Sequence, residues 1–367
     1  MKILKLIILL AICNQVFAQE TFPLNGVEKT FDPTYAFKNA TIISAPGIIL
    51  KNRIMLIQGD KILELDSNIN IPEGAIVYDL NGDYIYPSFI DLYSNYGLPE
   101  LKKEKSHSYH PQYTSNKTGA YHWNEAIHPE VNASEKFSRD NKKAEEYLAN
   151  GFGMLLTHIQ DGILRGSATF VSLSKKSDNE NILLKNGAAF YSFKKGISTQ
   201  KNPSSLMGSI ALIRQTFLDA EWYKTQGKQI NISYEEFINH QKLPQIFVLN
   251  DELDYSRIYK ISDEFEVDFI VKGNGKEFLQ IDEIKNSEFP IILPINFPNA
   301  YDVSNPETTE WISLQKLKNW ESAPYNPSIL AKNEIKFCIT SSDLENSKEF
   351  LKKLKIAIAK GLSKKDA

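Results

Sequence analysis

The stretch "HIQDGILRG", residues 158–166, places an imidazole, a carboxylate and a guanidinium close together: His158, Asp161 and Arg165. Near neutral pH an imidazole can give or take a proton, while the two charged groups orient it or hold a charged substrate. The same trio also reads as a turn tied by an ion pair. Four more histidines, His107, His110, His122 and His128, share one polar segment. Four imidazoles are enough for a metal, but their spacing matches no ligand motif such as H-E-x-x-H, so they read as surface residues. His240 sits in "YEEFINHQ", a polar helix whose histidine reads as solvated. Ser172-x-x-Lys175, Ser177-Asp178-Asn179 and Lys117-Thr118-Gly119 carry the letters of the three penicillin-recognising motifs. Their order and overlap defeat them, because the fold needs those motifs on separate elements facing a cleft. No G-x-S-x-G elbow exists, and "GNG" at 273–275 is too little for a phosphate loop.

These groups must be positioned by a regular framework. Residues 40–80 read as short strands punctuated by Gly47, Gly59-Asp60 and Asn81-Gly82, the pattern of a small antiparallel sheet. A polar, aromatic stretch at 98–140 has little periodicity and reads as a long insertion. Beyond it, "DNKKAEEYLANG" predicts a helix, followed by strands "FGMLLTHI", "ATFVSLS" and "GAAFYSF" and a long helix over 204–226. Strands "QIFVLN", "VDFIVKG", "FPIILPINF" and "IKFCITSS" then alternate with helices "ELDYSRIYKISDEF", "KEFLQIDEIKN", "PSILAKN" and "EFLKKLKIAIAK". Apolar strands alternating with amphipathic helices predict a parallel sheet covered by helices. Eight strand candidates favour a (β/α)8 TIM-like barrel over an open sheet.

Bulk properties narrow the function classes. The chain of 367 residues opens with "MKILKLIILLAICNQVFAQE", which reads as a secretory signal peptide over 1–18, with an apolar run too short to span a bilayer. Export to the periplasm or beyond is the expectation. Removing that leader leaves Cys338 as the sole cysteine, so no internal disulfide is expected. A formal charge of −3 without a basic stripe argues against a nucleic-acid partner, and no later stretch predicts a transmembrane segment.

The pieces "NATIISAPG…IQGDKILELD…NGDYIYPSFIDLY", "EYLANGFGMLLTHIQDGILRGSATFVSL" and "LAKNEIKFCITSSDL…AIAKGLSKKDA" together resemble the amidohydrolase superfamily, close to imidazolonepropionase-type members. The resemblance covers most of the chain after the leader. It implies a small N-terminal β-sandwich over 19–82, here incomplete, and a barrel over 83–367. It also implies zinc or another divalent metal at the C-terminal ends of the strands, lowering the pKa of a bound water for hydrolysis of C–N bonds other than peptide bonds. The family's first barrel strand ends in Pro-Gly-Phe-Ile-Asp-x-His-x-His. Pro87, Phe89, Ile90 and Asp91 match it, but the two histidine positions fall on Tyr93 and Asn95. Later ligand positions fall on Asn250, on Gly273 between Lys272 and Asn274, and on Ser342, with Asp343 one residue late. Phenol and carboxamide are poor ligands for zinc, so no metal and no other cofactor is expected.

Three readings follow. The first is an exported, catalytically degenerate module, or the N-terminal part of a longer hydrolase with a downstream amidohydrolase domain. Ser363 and Asp366 form a helix-start signal without the apolar run that should follow, which favours a truncated chain with unpaired sandwich edges and a tendency to associate. The second is an active hydrolase built on His158, Asp161 and Asp343. The third is a barrel that binds a small molecule or peptide without catalysis, with Arg165 and Lys272 as pocket candidates and Tyr109, Tyr113, Tyr121 and Trp123 as aromatic contacts.

Overall fold

In the computed structural model of the chain, residues 32–103, 110–226, 228–344 and 346–367 are described. The expected leader at 1–18, together with His107 and Tyr109, lies outside them. The chain divides into two compact units at Pro87/Ser88.

The first unit is a five-stranded sheet: β1 (Thr34–Ala45), β2 (Ile48–Gln58), β3 (Lys61–Asp66), β4 (Ile76–Asp79) and β5 (Tyr84–Ile85). Tight turns at Gly47 and Gly59 fold β1, β2 and β3 into antiparallel neighbours, as their spacing predicts. The expectation of a wholly antiparallel sheet fails for the last two strands, which both pair with β1 in parallel. The physical reason is the connection over 67–75. It carries the chain past β2 and β1, so β4 arrives beside β1 running the same way. Two small apolar clusters, around Ala36–Leu56–Ile69 and around Ala40–Ile42–Met55, hold the unit together. Ile48, Ile49, Ile62, Val77, Tyr78, Tyr84 and Tyr86 remain exposed.

The second unit is built on one eight-stranded sheet: β6 (Phe89–Ser94), β7 (Phe152–Thr157), β8 (Leu164–Ser172), β9 (Ile182–Ser192), β10 (Gln245–Val248), β11 (Phe269–Lys272), β12 (Ile291–Pro294) and β13 (Phe337–Thr340). Strand neighbours follow sequence order. Seven strands share a direction, but β8 runs against both β7 and β9. This corrects the all-parallel expectation, and loop length explains it. Only residues 158–163 connect β7 to β8, whereas a parallel crossover needs roughly a dozen residues or more. Gly162, at φ +80°, helps turn the chain back.

Helices cover the outer face. Among the described residues, those longer than five residues are α1 (Asn141–Ala149), α2 (Leu206–Gln226), α3 (Ile232–His240), α4 (Asp254–Phe265), α5 (Ile281–Ser287), α6 (Leu314–Ser322), α7 (Asn326–Lys332) and α8 (Phe350–Ala359). Local sequence sets their ends: Asp140 caps α1 by accepting from Lys143 N at 3.0 Å, and Asn231 caps α3 by accepting from Tyr234 N at 3.1 Å. The segment "KEFLQIDEIKN" forms a short 3-10 turn, Glu277–Leu279, and then α5, rather than one helix. One outer core joins α2, α3 and α4 to the strands through Phe217, Phe237, Tyr255 and Ile258. Another joins α1 and α8 through Phe152, Phe350 and Leu354.

A third cluster is drawn from strands alone: Tyr93, Leu156, Ala168, Phe190, Ile246, Val248 and Ile292, with Ile270 and Cys338 packed against it. One face of all eight strands converges on it, which requires the sheet to curl. Among the described residues no backbone ladder joins β13 to β6, but side chains do. The Asp91 carboxylate of β6 accepts from Thr340 Oγ1 at 2.6 Å, Ser341 N at 2.8 Å and Ser341 Oγ at 2.5 Å.

The 98–140 segment is irregular, as expected, yet it is pinned. The Gln200 amide accepts from Glu125 N at 2.6 Å and donates to the Tyr113 and Trp123 carbonyls. His122 and His128 are buried within this segment, and His240 is buried at the end of α3; the surface and solvated readings of these three are corrected. Each lies where its loop or helix packs inward, and burial pushes each imidazole below its ordinary value, His122 to about 4.

Candidate functional site

Tyr93 is the centre of the groups gathered at the C-terminal ends of the strands. It projects from β6 into the strand-only core, and burial pushes its phenol above the ordinary value, with the Arg165 charge working the other way. His158 follows β7 directly and is held by its own N–H donating to Ser94 O at 3.0 Å. Its ring lies flat on Phe190, with centroids 3.6 Å apart and planes 6° from parallel, and meets the Tyr93 ring edge-on at 4.9 Å. The imidazole is fully buried, and neither ring nitrogen has a hydrogen-bond partner. Burial, and then the Arg165 charge, hold it well below the ordinary histidine value, so it is neutral near pH 7.

Arg165 reaches this cluster because β8 is reversed. Leu164, at the start of β8, pairs with Tyr191 near the end of β9, so the first residues of β8 stand at the same sheet end as the last residues of its neighbours. Gly166 fixes the approach: it has φ +76°, and a side chain there would begin 2.0 Å from the Val131 carbonyl oxygen. Arg165 Nε donates to Gly162 O at 3.1 Å, while Nη1 is buried without a partner.

Lys272, the last residue of β11, lies with its ammonium 5.0 Å from the centroid of the Tyr93 ring and forms an ion pair with Asp343. The lysine is buried and the aspartate is half-exposed. Asp343 follows β13 in a left-handed conformation, φ +64°, which aspartate tolerates better than most residues. Ser342 donates its N–H to Thr340 Oγ1 at 3.0 Å, and its hydroxyl is buried without a partner.

The remaining sequence-derived positions lie apart from this cluster. Asn95 is exposed in the turn after β6. Asn250 N donates to the buried Asp254 carboxylate at 2.9 Å, which also pairs with Arg257. Gly273 is required by a close approach, since a Cβ there would lie 2.2 Å from Glu277 Oε1; a ligating side chain has no room. Asp161 turns to other partners, accepting from Ile197 N at 2.7 Å and facing His128 Nε2 at 3.7 Å. The structure therefore joins His158 to Arg165, Tyr93 and Phe190, and Asp343 to Lys272, while Asp161 is spent on the 196–197 turn.

Two buried carboxylates support the same sheet end. Asp91 accepts four hydrogen bonds, the fourth from Tyr93 N at 3.0 Å, yet burial still raises its pKa. Glu277 accepts from Asn274 N at 2.8 Å, Gly275 N at 3.1 Å and Asn326 Nδ2 at 2.5 Å, anchoring the loop after β11. Glu277 and Phe190 escaped sequence reasoning. A carboxylate just after Gly-Asn-Gly was the signal for the first, and the alternation of "GAAFYSF" for the second. Cys338 packs against the strand-only core, and burial together with the Asp91 charge pushes its thiol up to about 11, so it is a poor nucleophile.

These residues do not fit a divalent metal. The phenol stays protonated, the amide and hydroxyl are weak donors, and the nearest carboxylate is engaged by Lys272. His158 is the one good donor, and it stands beside Arg165. Among the described residues no group of three or more histidine, cysteine, aspartate or glutamate side chains could hold a metal ion. Nor is any described helix long and apolar enough to cross a membrane.

No family model matches the sequence, and no curated protein matches it. Solved structures do. An amidohydrolase from Thermotoga maritima MSB8 superposes with a TM-score of 0.68 at 18% identity, covering 90% of this chain and 85% of that one. The A. niger ochratoxinase reaches 0.46 at 12% identity over 91% of this chain and 81% of that one, and a Xaa-Pro dipeptidase 0.46 at 9% over 89% and 84%. The order of the strands, their curl around one interior cluster and the Thermotoga likeness agree, and the chain has the fold of an amidohydrolase.

Proposed function

We propose that this chain is an exported module of amidohydrolase fold that carries fixed cations where the fold's hydrolases carry a metal, and that it holds a ligand without hydrolysing it. One observation carries the reading: the Lys272 ammonium, paired with Asp343, lies over Tyr93 at the sheet end where the family's ligands would converge. A tethered ammonium beside the Arg165 guanidinium repels a further cation, and it engages the carboxylate that would otherwise take a proton from a nucleophilic water. The Asp91 bonds between the first and last strands, and the single core inside the curl, support closure of the eight strands into a (β/α)8-type barrel. The family's hydrolytic chemistry then survives as architecture rather than activity.

The test is elemental analysis of the purified chain together with a panel of amide and cyclic-amide substrates, assayed with and without added zinc or manganese. Substoichiometric metal and no metal-stimulated hydrolysis are expected. Stoichiometric zinc or manganese, or hydrolysis that rises with added metal, would sink the proposal.

A further inference from the structure

The sheet end around Tyr93 gathers several buried polar atoms that have no partner. Buried polar groups in folded proteins are nearly always paired, and those left over call for a missing partner. Here three side chains leave buried polar atoms unpaired: both ring nitrogens of His158, Nη1 of Arg165 and the Ser342 hydroxyl. Arg165 is 6% exposed and His158 is 0% exposed, so water does not serve them freely. The ion pairing is uneven as well. Lys272 is paired with Asp343, whereas Arg165 is in no ion pair among the described residues; Asp91 and Glu277, at the same sheet end, are taken up by their own hydrogen bonds, and His158 and Tyr93 are neutral. Arg165 is thus buried without a direct ion-pair partner, an arrangement that is costly in a low-dielectric setting.

From this we infer that the mouth of the sheet is an anion site, with the charge of the fold's metal centre inverted, and that its ligand is a small monocarboxylate. This assignment rests on the metal-free reading above. A carboxylate supplies the ion-pair partner that Arg165 lacks and two acceptor oxygens for the unpaired donors. One oxygen accepts a charge-assisted bond from Arg165 Nη1, and the other accepts from whichever nitrogen of the neutral His158 ring carries the hydrogen. Stacking on Phe190 and the edge contact with Tyr93 hold the imidazole in place for that role. Lys272 is not free to compete, because Asp343 already neutralises it. Arg165 and His158 are thus binding residues, and no bond in the ligand is made or broken.

Elemental analysis of the purified chain comes first, followed by calorimetric titration with acetate, benzoate, inorganic phosphate and chloride. Acetate or benzoate should bind saturably, with chloride inert. Arg165→Met should weaken that binding about tenfold or more, the worth of a charge-assisted bond. His158→Phe, which keeps the ring stack, should weaken it less. If Arg165→Met does not fold, Arg165→Gln and the shift of the His158 ring nitrogen resonances on titration read the same contact. A metal-free protein that binds no carboxylate, or binds it equally well without the Arg165 guanidinium, overturns the anion site and leaves the metal-free reading standing. Phosphate bound in preference through Arg165 overturns the carboxylate assignment. Stoichiometric metal overturns the reading beneath both.

Discussion

Asp91 and Glu277 on one side, and His158 and Arg165 on the other, are ionisable side chains buried at the same end of one sheet. Asp91 accepts four hydrogen bonds and Glu277 three, from backbone and side chains on neighbouring elements. His158 has no partner on either ring nitrogen, and Arg165, bonded through Nε to Gly162 O and to the Tyr93 side chain, has Nη1 left over. The contrast separates two uses of buried polarity. Where the partners are complete, the group holds architecture: Asp91 ties the first strand to the last, and Glu277 folds the loop after β11. Where they are incomplete, the fold bears the cost of buried polar atoms without partners, which at this sheet end the proposed carboxylate would offset.

The largest expected effect tests the architectural side. Asp91→Ala or Glu277→Ala strips buried donors of their acceptor and should cost about 3–5 kcal/mol in urea denaturation, or prevent folding. A loss under about 1 kcal/mol at either position would dissolve the distinction.

Acid comes next. His122, His128, His158 and His240 are all buried with lowered pKa values. A base whose folded value is depressed keeps its full contribution above its unfolded pKa of about 6.5 and loses it as pH falls toward the folded value. Stability should therefore drop below about pH 6.5, by about 1.4 kcal/mol per pH unit for each histidine, and His158→Phe should remove one share of that slope. A flat stability profile between pH 7 and 5, on any reading about those two values, contradicts the burial of the imidazoles.

The smallest effect is the sharpest. Without ligand, Arg165→Met should change stability by about 1–2 kcal/mol or less, because it removes a buried unpaired donor along with the bonds to Gly162 O and Tyr93. A loss above about 3 kcal/mol would move Arg165 to the architectural group.

Much of this molecule was readable in the chain. The eight strands of the second unit lie at the apolar runs of the sequence, the later ones alternating with amphipathic helices. Direction was harder to see. The reversal of β8 was implicit in the six residues between "FGMLLT" and "LRGSATFVS", too few for a crossover, but the apolar run alone reads the same in either direction. The histidines failed for a related reason. Polar neighbours in "YEEFINHQ" and "YHWNEAIHPE" describe exposed faces, while the imidazoles themselves point into packing that only long-range contacts reveal.

By itself the sequence determined most of the strands and helices and their order, because periodicity is a local property. Only the tertiary structure decided which groups meet. Lys272 and Asp343 are 71 positions apart and form an ion pair, and Asp91 binds Ser341 across 250. It also brought Arg165 to the mouth by reversing one strand. Those pairings arise from strand direction and the curl of the sheet, which no short window of sequence contains.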